Sequence, residues 1–216
     1  MPSARWYPPV KRLADVLVAL LLLPPALAVL TVAGLISLAL HGAPVLFTQQ
    51  RVGRHGVPFR LVKLRTMTGP PAHDRSYRER HRLTACGRVM RPLRVDELPQ
   101  LIHLLTGAMS LVGPRPLLAQ HVADAGGGGR RHEVRPGFTC YAQLELAEHG
   151  YLDRYRQVAL DDEYVERMGL RTDLRILGRT AGLLLGRRPR APLARFAPDG
   201  AGRAAGPGAG TADECR

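Results

Sequence analysis

Two adjacent carboxylates, Asp96 and Glu97, stand in the stretch VDELPQL, residues 95 to 101, just ahead of a proline and an apolar run. Like charges side by side repel, so in a chain with 31 Lys and Arg against 18 Asp and Glu the pair needs a reason. A plain one exists: Asp at a helix N-terminus caps the first turn, and Glu favours the helix dipole. Arg88, Arg91 and Arg94 lie just upstream, and Arg115 is fixed between two prolines. Cations beside acids lower their pKa and keep them ionised, and arginines with a helix N-terminus also attract phosphate oxyanions. A carboxylate facing a phosphate needs its repulsion relieved, which a divalent ion such as Mg²⁺, held by one or two carboxylates and substrate phosphates, would do. The chemistry allowed is attack by one carboxylate on phosphorus, with the other on the metal.

The elements that must position these residues can be read around them. In ELPQLIHLLT, residues 97 to 106, Leu98, Leu101, Ile102 and Leu105 fall on one helical face, and Gly107 ends the helix. Pro99 is tolerated only in a first turn, so the helix starts at about Asp96. Residues 44 to 67 carry two short apolar runs around a Gly-rich turn at Gly53 to Gly56, the pattern of a β-hairpin or of a loop between extended segments. Residues 68 to 82 read as a mobile loop running into a short helix. MSLVGPRPLL is a short strand closed by a turn, and AGGGG, residues 125 to 129, is a flexible loop. The run RRHEVRPGFTCYAQLEL, from Arg130, reads as extended. Residues 153 to 168 and 171 to 185 read as helices, the second with Leu174, Leu177, Ala181 and Leu184 on one side and arginines on the other. Such a helix suits a membrane surface or a domain core.

From Val16 to Leu40 the chain runs 25 residues without a charge. About 20 apolar residues span the hydrocarbon layer. A cleaved signal peptide is the competing reading, but the run is too long for a signal core and no small-residue cleavage site follows. Pro24 and Pro25 at its centre remove two backbone donors and predict a bend. Arg5, Lys11 and Arg12 precede the run; Arg51, Arg54, Arg60, Lys63 and Arg65 follow it. Basic flanks stay on the cytoplasmic side, so a re-entrant helix broken at proline satisfies both ends where a crossing helix satisfies one.

The formal charge of +13, nearly all of it from Arg, favours an anionic membrane leaflet, phosphorylated ligands or nucleic acid. Nucleic acid is disfavoured, because no aromatics interleave with the basic residues and the paired acids would go unexplained. Cys86, Cys140 and Cys215 are odd in number and lack metal spacing, which fits a reducing compartment. His103 and His132 read as structural or exposed, and Cys140 as a small buried residue. The chain divides into residues 1–43, an N-terminal segment and membrane helix; 44–186, a cytosolic domain; and 187–216, an Arg, Pro, Gly and Ala-rich disordered tail.

Four stretches in consistent order, KRLADVLVALLLLPP, FTQQRVGRHGVPFRLVKLRTM, LTACGRVMRPLRVDELPQLIHLLTGAMSLVGPRPLL and RHEVRPGFTCYAQ, together resemble the bacterial sugar transferases, the monotopic polyprenyl-phosphate phosphoglycosyl transferases. The resemblance covers about residues 10 to 185. It implies a mostly helical α+β fold: a re-entrant membrane helix broken at Pro24-Pro25 and a small catalytic domain with short strands and surface amphipathic helices. That domain would face the cytoplasm at the inner membrane. The implied reaction moves a sugar 1-phosphate from a nucleoside diphosphate sugar, usually a uridine one, to polyprenyl phosphate in exopolysaccharide or glycoconjugate assembly. Asp96 is then the nucleophile and Glu97 helps to hold Mg²⁺. Lys63, Arg91 and Arg115 match the family's phosphate-binding cations, and Arg135 matches in RPG.

The chain departs from the family's RPGITGWAQVNGRN. It reads RPGFTCYAQLELAEHGY, which bears on donor choice. The alternative reading is an inactive membrane scaffold of a polysaccharide assembly complex, which would be expected to have lost an acid or a cation. A homo-oligomer stays open.

Overall fold

A computed structural model describes residues 7–69, 82–124, 126–127, 129–149 and 152–186. Most of the loop read at 68–82, the tail from 187 and Cys215 fall outside these.

The chain is mostly helical with a few short strands. It opens with one long helix, α1 (Tyr7–His41), long and apolar enough to cross a membrane. The helix runs without interruption through Pro24 and Pro25, so the two separate halves read from the sequence are not seen. Neighbouring turns can carry a helix past a proline even where it bends. Small or short residues, Asp15, Ala19, Ala26, Ala33 and Ser37, form its buried stripe. Small side chains let a helix back approach its partner closely. Leu13, Leu17, Leu21, Leu27, Val32, Leu35 and Leu40 point outward.

Strands β1 (Leu46–Val52) and β2 (Pro58–Leu64) form the antiparallel hairpin, Leu46 opposite Leu64 and Val52 opposite Pro58. Its turn is a 3₁₀ element at Arg54–Gly56, with His55 and Gly56 at positive φ. Helix α2 (Ala85–Met90) is capped by Thr84, whose Oγ1 accepts from the Gly87 N–H at 2.9 Å. A 3₁₀ turn, Val95–Gln100, leads into α3 (Leu101–Thr106), which Gly107 ends at φ 82°.

The apolar face of this helix differs from the one read in the sequence. Leu101, His103 and Leu104 are buried, while Ile102 is half exposed. A 3₁₀ turn has 3.0 residues rather than 3.6, so it shifts the phase of all that follows.

Strands β3 (Ser110–Val112) and β4 (Gly137–Thr139) pair in parallel for three residues each. Gly113 and Gly137 permit this pairing, since a Cβ on Gly137 would lie 2.1 Å from the Gly113 nitrogen. Between them lie α4 (Ala119–Asp124) and a 3₁₀ turn at Gly129–Glu133. After β4 the chain is not extended: Tyr141–His149 forms α5. Ala142, Gln143, Leu144, Glu145 and Leu146 are good helix formers, and the partner strand ends at Val112.

Helices α6 (Arg154–Glu166) and α7 (Leu170–Leu184) complete the fold. Asp153 caps α6 through the Arg156 N–H at 2.7 Å. On α7 it is Ile176 and Asp173 that face the core, while Leu174 and Leu184 are exposed.

Three apolar clusters hold the protein. Val112, Tyr141, Leu144, Leu160, Tyr164 and Ile176 join β3 to α5, α6 and α7. Ala19 packs with Leu61, Leu104 and Met109; Ala33 packs with Leu64, Cys86 and Met90. Helix α1 therefore belongs to two of the three, with packing on each side of its proline pair.

Candidate active site

Asp96 is the second residue of the 3₁₀ turn and is 6% exposed. The residue at the cap is Arg94, in the left-handed region at φ 54°, and it makes no side-chain capping bond. Asp96 thus lies inside the first turn, and the plain capping role is not the one it plays. A left-handed non-glycine residue costs about 1 kcal/mol and tends to mark a functional turn. Here it turns the Arg94 side chain so that Nη1 donates to Glu97 Oε2 at 2.9 Å. Glu97 Oε1 has no protein hydrogen bond among the described residues.

Three elements bring cations together, Lys63 and Arg91 at the acid and Arg115 at the lysine. Lys63 comes from β2, Arg91 from the C-cap of α2, and Arg115 from the turn after β3. Lys63 and Arg91 both stabilise the charged form of Asp96, and Arg51, Arg91 and Arg115 all repel the charge on Lys63. Arg91 is aimed by Thr66, whose buried Oγ1 accepts from Nε at 3.0 Å. Lys63 Nζ sits 5.3 Å from the centre of the Phe47 ring. Arg51, which the sequence offered only as a basic flank, is buried and donates to Pro116 O at 3.1 Å. It ties β1 to the turn that carries Arg115. Thr66 also escaped sequence reading, since a buried threonine announces nothing by pattern.

The electrostatics correct one expectation. The pKa of Asp96 is raised, first by burial and then by the charge on Glu97, and the pull of Lys63 and Arg91 does not cancel these. Burial also drags Lys63 down to about 8, helped by Arg51 and Arg91. Each group would gain from a partner: Asp96 from a cation, Lys63 from an anion. Asp96 and Glu97 are the adjacent acids that would have to share a divalent ion. Among the described residues no group of three or more His, Cys, Asp or Glu could hold one, so substrate oxygens would have to complete the coordination.

Arg135 does not join this group. Its Nε donates to Gly107 O at 2.9 Å, and the charges around it are those of Arg12, Arg54 and Asp15. Pro24 and Pro25 lie within α1 with their side chains exposed. His103 is buried edge-on to Phe59, with ring centres 5.5 Å apart, and His132 Nδ1 meets Gly53 O at 3.2 Å. Cys140 is buried, which pushes its thiol up to about 12 and leaves it inert.

The family model of the bacterial sugar transferases matches residues 6–187. The chain belongs to the bacterial sugar transferase family. It is 40% identical over 170 residues to the uncharacterized sugar transferase EpsL of Bacillus subtilis (strain 168), covering 77% of this chain and 83% of that one. It is 38% identical over 186 residues to the UDP-glucose:undecaprenyl-phosphate glucose-1-phosphate transferase of Caulobacter vibrioides, over 81% of this chain and 69% of the relative. The Escherichia coli (strain K12) protein of that description is 34% identical over 180 residues, over 77% of this chain and 38% of the relative. As a bacterial sugar transferase the chain is an enzyme of the transferase class. The match covers both the apolar helix and the Asp96 cluster.

Proposed function

We propose that this bacterial sugar transferase moves a sugar 1-phosphate from a UDP-sugar to polyprenyl phosphate through a covalent phosphoglycosyl group on Asp96. The observation that carries the reading is a buried carboxylate set among Lys63 and Arg91, with Arg115 acting on the same lysine. The relatives' names supply the substrate classes.

In the first half-reaction an Asp96 oxygen attacks the sugar-bearing phosphorus. A P–O bond forms to Asp96, the P–O bond to the nucleoside monophosphate breaks, and UMP leaves with the electron pair. In the second, an oxygen of polyprenyl phosphate attacks the same phosphorus and Asp96 departs as a carboxylate. A poorly solvated carboxylate with a raised pKa is a stronger nucleophile than an exposed one. Lys63, Arg91 and Arg115 hold the diphosphate and meet the charge that grows on the leaving oxygen. Glu97 would hold Mg²⁺, which supplies charge neutralisation between the acids and the diphosphate. Splitting the transfer means that the site never holds two bulky anions at once.

We further propose that α1 re-enters the cytoplasmic leaflet of the inner membrane. Both of its ends are fastened to one folded domain: Tyr7 and Lys11 reach Asp173 of α7, while His41 O and Gly42 O accept from Arg65. A domain on the cytoplasmic side then keeps both ends there. The exposed leucines of α7 would rest on the same leaflet. Val95, next to Asp96, packs with the cluster of Ala33 on α1, which sets the nucleophile beside the membrane helix.

The test uses detergent-solubilised protein with Mg²⁺ and a panel of nucleotide sugars. Continuous UMP release that requires polyprenyl phosphate supports transfer. Release that ignores the lipid would mean hydrolysis, and no release with any donor would favour the scaffold reading.

A further inference from the structure

A cavity of about 710 Å³ opens beside the first turns of α1. None of Lys63, Arg91, Asp96, Glu97 or Arg115 lines it. Its polar wall includes Asp15 of α1, Arg54 of the hairpin turn, Ser110 of β3 and Arg135 ahead of β4, with Lys11, Arg130, Glu133 and Glu166 beside them. The volume is in the range of small-molecule sites, about 300 to 1,000 Å³.

Two buried polar atoms in this wall lack partners. Asp15 is 3% exposed; its Oδ1 accepts from the Leu111 N–H at 2.8 Å, but its Oδ2 accepts from nothing. Ser110 is 1% exposed, and its Oγ is equally unmatched. Buried polar atoms are almost always satisfied, so each one left over points to something that completes it. Asp15 Oδ2 requires a donor, and a ligand hydroxyl is one.

The cations of the wall differ in how fully they are engaged. Lys11 pairs with Asp173, and Arg130 with Glu133 and Glu166. Arg135 and Arg54 each use only Nε, toward Gly107 O at 2.9 Å and Glu133 O at 3.0 Å. These bonds orient both guanidinium groups, while their terminal nitrogens make no protein hydrogen bond among the described residues. Oriented guanidinium donors match phosphate oxygens.

We infer that this cavity is a second ligand site, separate from the Asp96 cluster, for a phosphorylated polyol of the sugar phosphate or nucleotide class. The phosphate binds Arg54 and Arg135, and hydroxyls bind Asp15 Oδ2 and Ser110 Oγ. Inorganic phosphate or a polyprenyl phosphate offers Asp15 no polyol hydroxyls, and a neutral sugar leaves both arginines unmatched. The occupant is therefore a soluble phosphate ester rather than the lipid acceptor.

Calorimetric titration of the full-length, detergent-solubilised protein tests this, with glucose 1-phosphate, UMP and inorganic phosphate as probes. At least one of the two esters should saturate a site that survives Arg91→Ala and weakens about tenfold or more in Arg54→Gln. Arg54 is exposed, so that variant should keep the fold. Ser110→Ala should weaken the ester and leave inorganic phosphate unchanged. Ester binding that disappears with Arg91→Ala and persists in Arg54→Gln would place the probe at the Asp96 cluster and overturn the assignment. Equal affinity for inorganic phosphate, or no saturable ester binding, would overturn it as well.

Discussion

Arg131 and Asp161 pair at 3.0 Å with side chains 2% and 1% exposed, and Arg131 in turn holds the backbone of Arg115. Arg131 Nη2 donates to the Arg115 carbonyl, while the Arg115 N–H favours the charged form of Asp161. The rigid turn that carries Arg115 is thus anchored in the core through Arg131, which Asp161 holds. Removing one partner of a buried ion pair costs about 3–5 kcal/mol. Asp161→Asn should therefore lower the unfolding midpoint and raise KM for the nucleotide sugar. Added to Arg115→Ala it should cost no further activity, because the two changes remove one interaction. Steady-state kinetics of the double variant checks this, and additive losses would argue against it.

Lys63 predicts a particular pH dependence. Its pKa is lowered from 10.5 to about 8, so between those values the unfolded chain holds a proton that the folded chain has released. Stability from this group is full above 10.5 and is lost as pH falls through about 8. At pH 7 the folded protein holds the charged lysine at a cost on the order of 3 kcal/mol. Lys63→Met should stabilise the protein at neutral pH, with the gain fading toward pH 10, while donor turnover collapses. For the wild type, kcat/KM should fall above about pH 8 as Lys63 loses its proton. Thermal unfolding of both proteins at several pH values, with a pH–rate profile, reads this directly.

Gly87 allows α2 to sit against the end of the hairpin. A Cβ there would stand 2.3 Å from Thr66 O, and Thr66 aims Arg91. Gly87→Ala must push Thr66 away, at about 1–3 kcal/mol of overpacking, and should slow UMP release more than tenfold by loosening Arg91. Wild-type kinetics in this variant would show that Arg91 needs no such support.

Some of this was legible in the sequence and some was not. The hairpin was one of the two readings offered by the apolar runs around Gly53 to Gly56, and the end of α3 followed from Gly107. The Asp-Glu pair was visible because like charges rarely stand together without cause. The buried face of α3 was not, because a 3₁₀ turn shifts the phase, and Tyr141–His149 hid its helix behind a strand-like start. Arg135 matched only through its RPG motif, and the fold turns it to the cavity beside α1. The direction of the Asp96 shift needed its burial, which no local pattern records.

Topology offers an independent check. With re-entry, a cysteine introduced at Ser3 and one at Gly42 should both react only with reagent supplied from the cytoplasmic side. Labelling of position 3 from outside would show that α1 crosses the bilayer.

The most direct measurement is mass spectrometry of the protein after incubation with UDP-sugar and Mg²⁺ in the absence of polyprenyl phosphate. The account predicts one sugar phosphate per chain on the peptide that contains Asp96, lost on adding polyprenyl phosphate and never formed by Asp96→Asn. Full turnover by Asp96→Asn, or a sugar phosphate carried on another residue, would contradict it.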